Sequence, residues 1–178
     1  MISIARSALV PALLLALLPG APALAQLPGT SALKGLDTQA PIDVDADRIE
    51  VLDRENQAIF TGSVRVTQAR MTLEAGRIKV VYTRGDTENP VIRRLDADGN
   101  VRLTTPSERA TGRFGIYDVE KRLITVIGNV VLIRGETRVE GDRLTIDLAS
   151  GRSLLDGRGS ATGEGGRVSG RFAVPDRK

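Results

Sequence analysis

The chain has 178 residues, of which 41% are hydrophobic but only 3% aromatic, and its formal net charge is +3. It contains no Trp, Cys or His, which excludes disulfides, thiol nucleophiles, histidine-based catalytic triads and cysteine-type zinc sites. The basic residues form no run with interleaved aromatics, so no nucleic-acid partner is expected. The length suits one domain, and its core must consist of Val, Ile and Leu, of which the β-branched residues favour strands.

The first residues have the pattern of a secretory signal. Arg6 supplies a positive charge, residues 8–18 form a short apolar stretch, and residues 23–25 (Ala-Leu-Ala) match a signal-peptidase site. A membrane anchor is the alternative, but a span needs about 20 apolar residues, and this stretch is shorter and contains Pro11. We therefore expect residues 1–25 to be a cleaved signal peptide and residues 26–40 to be a flexible leader.

From Pro41 onward the chain repeats a unit of two short strands. Each unit begins with an Arg that precedes alternating apolar residues, passes through a polar break, and returns in a second run that leads into a Gly. Four such units recur at about 30 residues, which favours antiparallel hairpins laid side by side over the shorter coils of a parallel β-helix. The Arg–Gly pairs are Arg48–Gly62, Arg77–Gly99, Arg113–Gly128 and Arg143–Gly159.

The alternation places one apolar series on a single face of the predicted sheet. Residues one and three positions after each Arg are apolar, and side chains at a spacing of two share a face. Residues two and four after the Gly continue the series in three units, whereas the fourth has Ala161 and Gly163 there. Such an array must fold over on itself, either as a closed β-sandwich core or as an interior that accepts an apolar ligand. The pairs are Ile49/Val51, Ile78/Val80, Phe114/Ile116, Leu144/Ile146, Val64/Val66, Val101/Leu103 and Val130/Leu132.

Catalytic or metal-binding chemistry has little support. Asp43, Asp45 and Asp47 alternate in PIDVDAD, but Arg48 and Arg54 occupy the positions where a calcium loop requires Gly and Glu. We expect these carboxylates to face water, and we expect no metal and no cofactor. A secreted glycoside hydrolase with a carboxylate pair is a third-ranking alternative, because spacing across strands is not visible in a sequence.

Two blocks of the sequence resemble a known family. The first contains P-I-x-V-x-A-D at 41–47, F-T-G-S-V-x-V-T-Q at 60–68 and A-x-R-I-x-V at 75–80, and the second spans residues 110–147. Together they resemble the organic-solvent-tolerance-like (OstA/LptA) family of periplasmic lipopolysaccharide-transport proteins. The resemblance implies an all-β, twisted, partly open antiparallel β-jellyroll, built from repeated hairpins over residues 41–160. A Gly-rich C-terminal edge or tail would follow over residues 161–178.

The resemblance also implies a non-enzymatic function. Family members bind the acyl chains of lipopolysaccharide inside the fold. They stack head to tail into a bridge between an LptC-like inner-membrane partner and an LptD-like outer-membrane partner. We therefore expect a periplasmic lipopolysaccharide carrier; the alternatives are an LptC-like membrane-anchored partner and a structural β-repeat module with a closed core. The residues expected to line the lipid-binding interior are Ile42, Val44, Ile49, Val51, Phe60, Val64, Val66, Leu73, Ile78, Val80, Val101, Leu103, Phe114 and Ile116.

Overall fold

The computed structural model describes residues 36–84, 90–157 and 166–172, and across these ranges no helix reaches the length and hydropathy of a membrane span. The described residues form ten strands and one 3-10 turn at Asp53–Glu55. The predicted signal at 1–25, the leader up to residue 35, most of the loop at 83–90 and Gly159 lie outside them. The strands are β1 (Ile42–Asp45), β2 (Arg48–Leu52), β3 (Gln57–Gln68), β4 (Met71–Arg84), β5 (Pro90–Thr104), β6 (Glu108–Asp118), β7 (Leu123–Arg134), β8 (Thr137–Asp147), β9 (Arg152–Asp156) and β10 (Ser169–Arg171).

These strands belong to one antiparallel sheet. Its neighbours run in the order β1, β3, β4, β5, β6, β7, β8 and β10, while β2 also pairs with β3 and β9 also pairs with β8. The four predicted hairpins correspond to β2–β3, β4–β5, β6–β7 and β8–β9, so the sequence repeat is a repeat of strand pairs. Within the described ranges the edge formed by β1 and β2 does not pair with the edge formed by β9 and β10, and the sheet stays open.

A row of bends crosses the sheet at the repeated glycines. In β7, Gly128 has a φ of 86° and Asn129 a φ of 52°, and the pairing of β7 with β8 shifts register there. Gly adopts this left-handed backbone without a steric penalty, and Asn is among the few residues with a side chain that tolerate it. The same backbone pair recurs on every second strand, at Gly62–Ser63 and Gly99–Asn100.

The bend row divides the sheet into two halves that face each other. Their buried side chains form one hydrophobic core, and the hydroxyl of Tyr117 in one half donates a hydrogen bond of 2.8 Å to Oε1 of Gln68 in the other. We name each half after the edge strand that it contains. The term seam denotes the line, opposite the bend row, where the free strand ends of the two halves meet. The β1 half contains β1, residues 64–68, 71–75, 101–104, 108–112, 130–134 and 137–141, and β10; the β2 half contains β2, residues 57–61, 78–84, 90–98, 114–118, 123–127 and 143–147, and β9.

The segment before β1 packs against the sheet. Leu36 is buried in the core, and Nε2 of Gln68 donates to the carbonyl oxygens of Thr38 at 3.2 Å and Ala40 at 3.0 Å. The sequence predicts a flexible leader over residues 26–40 because no periodicity is visible there. Over residues 36–40 the structure differs from that expectation, since one buried Leu and two backbone acceptors hold an irregular segment in place.

Candidate functional site

The inner face is apolar along the central strands. Residues directly opposite each other on paired strands share a face, so the pairing of Leu95 with both Val80 and Tyr117 traces one inward row from β4 to β6. Ile124 continues this row on β7, and the exposure of these four side chains lies between 0% and 4%. Burial of side chains of this size contributes about 1.5–3 kcal/mol each, so the interior also holds the two halves together.

Most of the predicted lining residues lie on this inner face. Ile49, for example, pairs with Phe60, which pairs with Ile78. Exposure along such a row rises toward the β1/β2 edge, because an edge strand has a neighbour on one side only. The buried members are Val64, Val66, Leu73, Ile78, Val80, Val101 and Leu103; the half-buried members are Ile42, Val44 and Phe60; the exposed members are Ile49 and Val51.

Phe114 and Ile116 are the exceptions, and the prediction that they face inward is wrong. They pair with Asp98 and Asp96 on the outer face of the sheet, and they are 42% and 37% exposed. The inward position of β6 near the seam is instead held by Tyr117, which is 1% exposed.

The physical reason is a one-residue offset of the bend in the third repeat. In β4 the first inward residue after the bend is Ile78, directly after Arg77. In β6 it is Gly115, two residues after Arg113, so that Phe114 occupies the outward place that Arg77 has in β4. A bulge shifts the alternation of a strand by one position, and an alignment of the repeats on their Arg residues does not detect the shift.

The inner face reaches solvent at the β2 edge. Ile49 and Val51 are 55% and 54% exposed, although they belong to the same face as the fully buried Ile78. Among the described residues β2 pairs with β3 alone, and no second described strand borders these side chains. Exposed aliphatic residues that continue a buried apolar face are typical of a binding surface.

The buried polar residues of the described chain lie at the seam. Gln68, Thr105 and Glu108 occupy free strand ends of the β1 half or the turn between them. Glu108 forms an ion pair with Arg134 at 3.1 Å, and its backbone N–H donates to the Thr105 hydroxyl at 3.1 Å. The Tyr117 phenol donates to Gln68, and burial raises the pKa of Tyr117 above its ordinary value because the charged phenolate is poorly solvated there. The apolar interior therefore has a polar margin on the side opposite the bend.

Gln68 and Tyr117 are functional candidates that the sequence analysis missed. A signal was present for Gln68, because it follows Val64 and Val66 at a spacing of two and thus shares their inward orientation. A buried amide needs hydrogen-bond partners, so this orientation predicts a polar residue elsewhere on the inner face. The partner, Tyr117, was obscured by the offset of the third repeat.

The acidic residues of the first strand lie outside this interior. Asp43, Asp45 and Asp47 are exposed, and Asp45 pairs with Arg65 on the outer face. Charges pair across strands on this face, as between Arg65 and Glu74 at 2.7 Å. In the part of the chain that the structure describes, no three His, Cys, Asp or Glu residues are grouped to hold a metal ion.

A surface cleft of about 490 Å³ lies at the edge formed by β8 and β10. Its walls include Glu140, Asp142 and Arg167 together with backbone at the bends of β7 and β8. Charged walls of this kind suit water or polar ligands, so the apolar inner face and its open β2 edge form the better candidate site.

These features define a class of protein: an open antiparallel β-jellyroll whose apolar interior continues to an uncovered edge. A family model described as "LptA/(LptD N-terminal domain) LPS transport protein" matches residues 43–152, which is more than half of the chain. The chain therefore belongs to this family of lipopolysaccharide transport proteins.

Individual relatives agree with this assignment. An uncharacterised protein of Rhizobium meliloti (strain 1021) is 35% identical over 129 residues, which cover 70% of this chain and 69% of that protein. The lipopolysaccharide export system protein LptA of Escherichia coli (strain K12) is 27% identical over 118 residues, or 61% of this chain and 60% of the relative. LptH of Pseudomonas aeruginosa, described as the LptA homologous periplasmic component of the lipopolysaccharide transport device, superimposes with a TM-score of 0.67 at 18% identity. The match covers 78% of this chain and 99% of that one and confirms the predicted fold class.

Proposed function

We propose that this protein holds the acyl chains of lipopolysaccharide against its inner face and carries them across the periplasm. The observation that carries the proposal is the continuity of that face, from the buried centre of the sheet to the exposed Ile49 and Val51. An acyl chain gains about 0.8 kcal/mol for each CH₂ that leaves water, so a row of similar aliphatic side chains offers many successive sites. The lining residues are those of the sequence prediction without Phe114 and Ile116.

Transport in one direction needs partners at both ends of the sheet. In the described parts of the chain the β1/β2 edge and the β9/β10 edge each leave one side of a strand unpaired, and such edges associate by strand addition. Their charges are complementary in the β1 half, where Asp43 and Asp45 flank one edge and Arg171 flanks the other. Copies of this chain thus stack head to tail, with an LptC-like partner at the inner membrane and an LptD-like partner at the outer membrane.

The remaining parts of the proposal follow the sequence. Residues 1–25 are removed on export, the transport domain spans about residues 41–160, and the protein works in the periplasm without catalysis. The periplasmic location is that of the relative from Pseudomonas aeruginosa. The family to which the chain belongs is described as a transport family, which supports a carrier over an enzyme.

Site-specific photo-crosslinking tests the inner face directly. A benzophenone side chain at Ile49 should capture purified lipopolysaccharide, whereas the same probe at Ile116 should not, because Ile49 faces inward and Ile116 outward. The two positions are well matched, since both are Ile and both are exposed enough to carry the probe, at 55% and 37%. Equal capture at both positions, or none at Ile49, would favour a β-repeat module with a closed core.

A further inference from the structure

The segment before the first strand contributes to the core without pairing in the sheet, as Leu148 also does from the turn after β8. Leu36 is 8% exposed and belongs to the hydrophobic core, but it lies outside every strand. Removal of residues 36–40 would leave every strand pairing of the described residues intact. Leu36 therefore fills interior space without taking part in strand pairing.

Gln68 holds this segment and the opposite half of the sheet with one amide. Its Nε2 donates to the carbonyl oxygens of Thr38 and Ala40 at 3.2 and 3.0 Å, and its Oε1 accepts from the Tyr117 hydroxyl at 2.8 Å. Because two carbonyl oxygens can only accept, the nitrogen must point toward them, and both amide donors and one acceptor site are used. Gln68 itself is 2% exposed, so these bonds form away from water.

These bonds lie at the margin of the apolar interior. Gln68 is the last residue of β3, and Tyr117 is the next-to-last residue of β6, so their hydrogen bond spans the seam between the two halves. In the middle of the sheet Ile78, Leu95 and Leu144 are 0% exposed, and the interior there is fully packed. An acyl chain thus gains space in the interior only when a resident group leaves it.

We propose that residues 36–40 are a resident strap that occupies a binding subsite for an aliphatic chain and is displaced when lipid binds. The inference rests on the proposed function, because the displacing group is an acyl chain of lipopolysaccharide. Such a chain has several times as many methylenes as the Leu36 side chain, so it covers more apolar surface than the strap does. Gln68 sets how readily the strap leaves, since it bonds the strap on one side and Tyr117 on the other.

Thiol labelling tests the strap, because the chain has no cysteine of its own. Leu36→Cys keeps an apolar side chain at the buried position, and Ser107→Cys in the exposed turn before β6 is the matched control. Purified lipopolysaccharide should raise the labelling rate of Leu36→Cys about tenfold and leave that of Ser107→Cys unchanged, because only the strap opens. Polysaccharide freed of its acyl chains should raise neither rate.

A second comparison needs no lipid. Gln68→Leu in the Leu36→Cys background should raise the labelling rate about tenfold, because the strap loses both of its side-chain hydrogen bonds. Tyr117→Phe should raise it less, since Gln68 still bonds the strap; circular dichroism spectra like that of the parent should accompany both variants.

The outcomes separate the strap from the proposed function. If lipopolysaccharide binds and the labelling rate of Leu36→Cys stays constant, the proposal of a displaceable strap is wrong while the carrier function stands. If lipopolysaccharide does not bind but Gln68→Leu frees the strap, the carrier function fails and the strap remains as a structural latch. If Leu36→Cys is labelled as fast as Ser107→Cys without added lipopolysaccharide, residues 36–40 do not occupy the interior and the strap proposal is wrong.

Discussion

The two edge strands of the β2 half make a controlled comparison within one molecule. β2 and β9 each pair through five residues with a single neighbour, and each points aliphatic side chains inward. On β2, Ile49 is 55% exposed; on β9, Leu155 is 8% exposed. Both residues have isomeric aliphatic side chains on the same face of the same sheet, so the difference lies in what covers each end.

The C-terminal end is covered by its own chain. Leu155 lies against Gly141, where an added Cβ would be 2.8 Å from its Cγ, and the chain that leads to β10 passes Gly157 at Gly166. At the N-terminal end, residues 36–40 cover part of the β1 half and leave β2 open. Exposure on the inner face thus depends on chain segments outside the repeated hairpins, and the described residues have an open end at β2 and a closed end at β9.

The largest effect should come from truncating these two residues. Leu155→Ala should lower the free energy of unfolding by about 2–4 kcal/mol, because it removes buried methyl groups and leaves a cavity. Ile49→Ala should cost less than about 1 kcal/mol, since its side chain is already in contact with water. Urea denaturation of both variants measures the difference, and equal losses would remove the distinction between a closed and an open end.

A smaller effect is expected from the charges that flank the two edges of the β1 half. Asp43→Lys combined with Asp45→Lys should weaken concentration-dependent association about tenfold at low ionic strength, because acidic residues then no longer meet Arg171. The loss should shrink as salt screens the charges.

Native mass spectrometry over a range of protein concentrations measures this association. Asp98→Lys combined with Glu120→Lys is the control, since it makes the same charge change at exposed positions on the central strands or the turn between them. Equal weakening by the control pair would assign the effect to net charge and not to the edges.

The smallest effect is expected from Tyr117, whose hydrogen bond to Gln68 joins the two halves between the two ends. Burial raises the pKa of Tyr117 above the ordinary value of 10.0, so folding favours the neutral phenol. Its contribution is complete below about pH 10 and is lost as the pH rises through the higher folded value. Tyr117→Phe should cost about 1 kcal/mol at neutral pH and should lose less stability than the parent above about pH 10. Thermal unfolding curves between about pH 7 and about pH 11 check this; parallel pH profiles would contradict it.

Much of the fold was predictable because the repeat is local. Alternation at a spacing of two, interrupted by Gly, identified the four hairpins and the inward direction of Val64, Val66, Val101 and Leu103. The family resemblance, confirmed by the match to residues 43–152, added the open jellyroll. Both rest on short-range patterns that survive at low sequence identity.

The site was less predictable because its details depend on bulges and on distant chain. The offset at Gly112 turned Phe114 and Ile116 outward, and no alternation rule contains the position of a bulge. The exposure of Ile49 and the burial of Leu36 depend on which residues cover an edge, which is a contact between parts of the chain far apart in sequence. The direction of a side chain follows from the alternation along its own strand, whereas its burial depends on every part of the chain that packs against it.

The bend row has a consequence for the length of the protein. A left-handed pair of residues, Gly followed by Ser or Asn, falls on every second strand, so the bend repeats with each hairpin. Strands lie about 4.8 Å apart, so the path of eight strands from edge to edge spans about 34 Å, and one more hairpin would add about 10 Å. A single added strand would place two bending strands, or two without a bend, side by side. The length of the sheet from edge to edge therefore changes in whole hairpins.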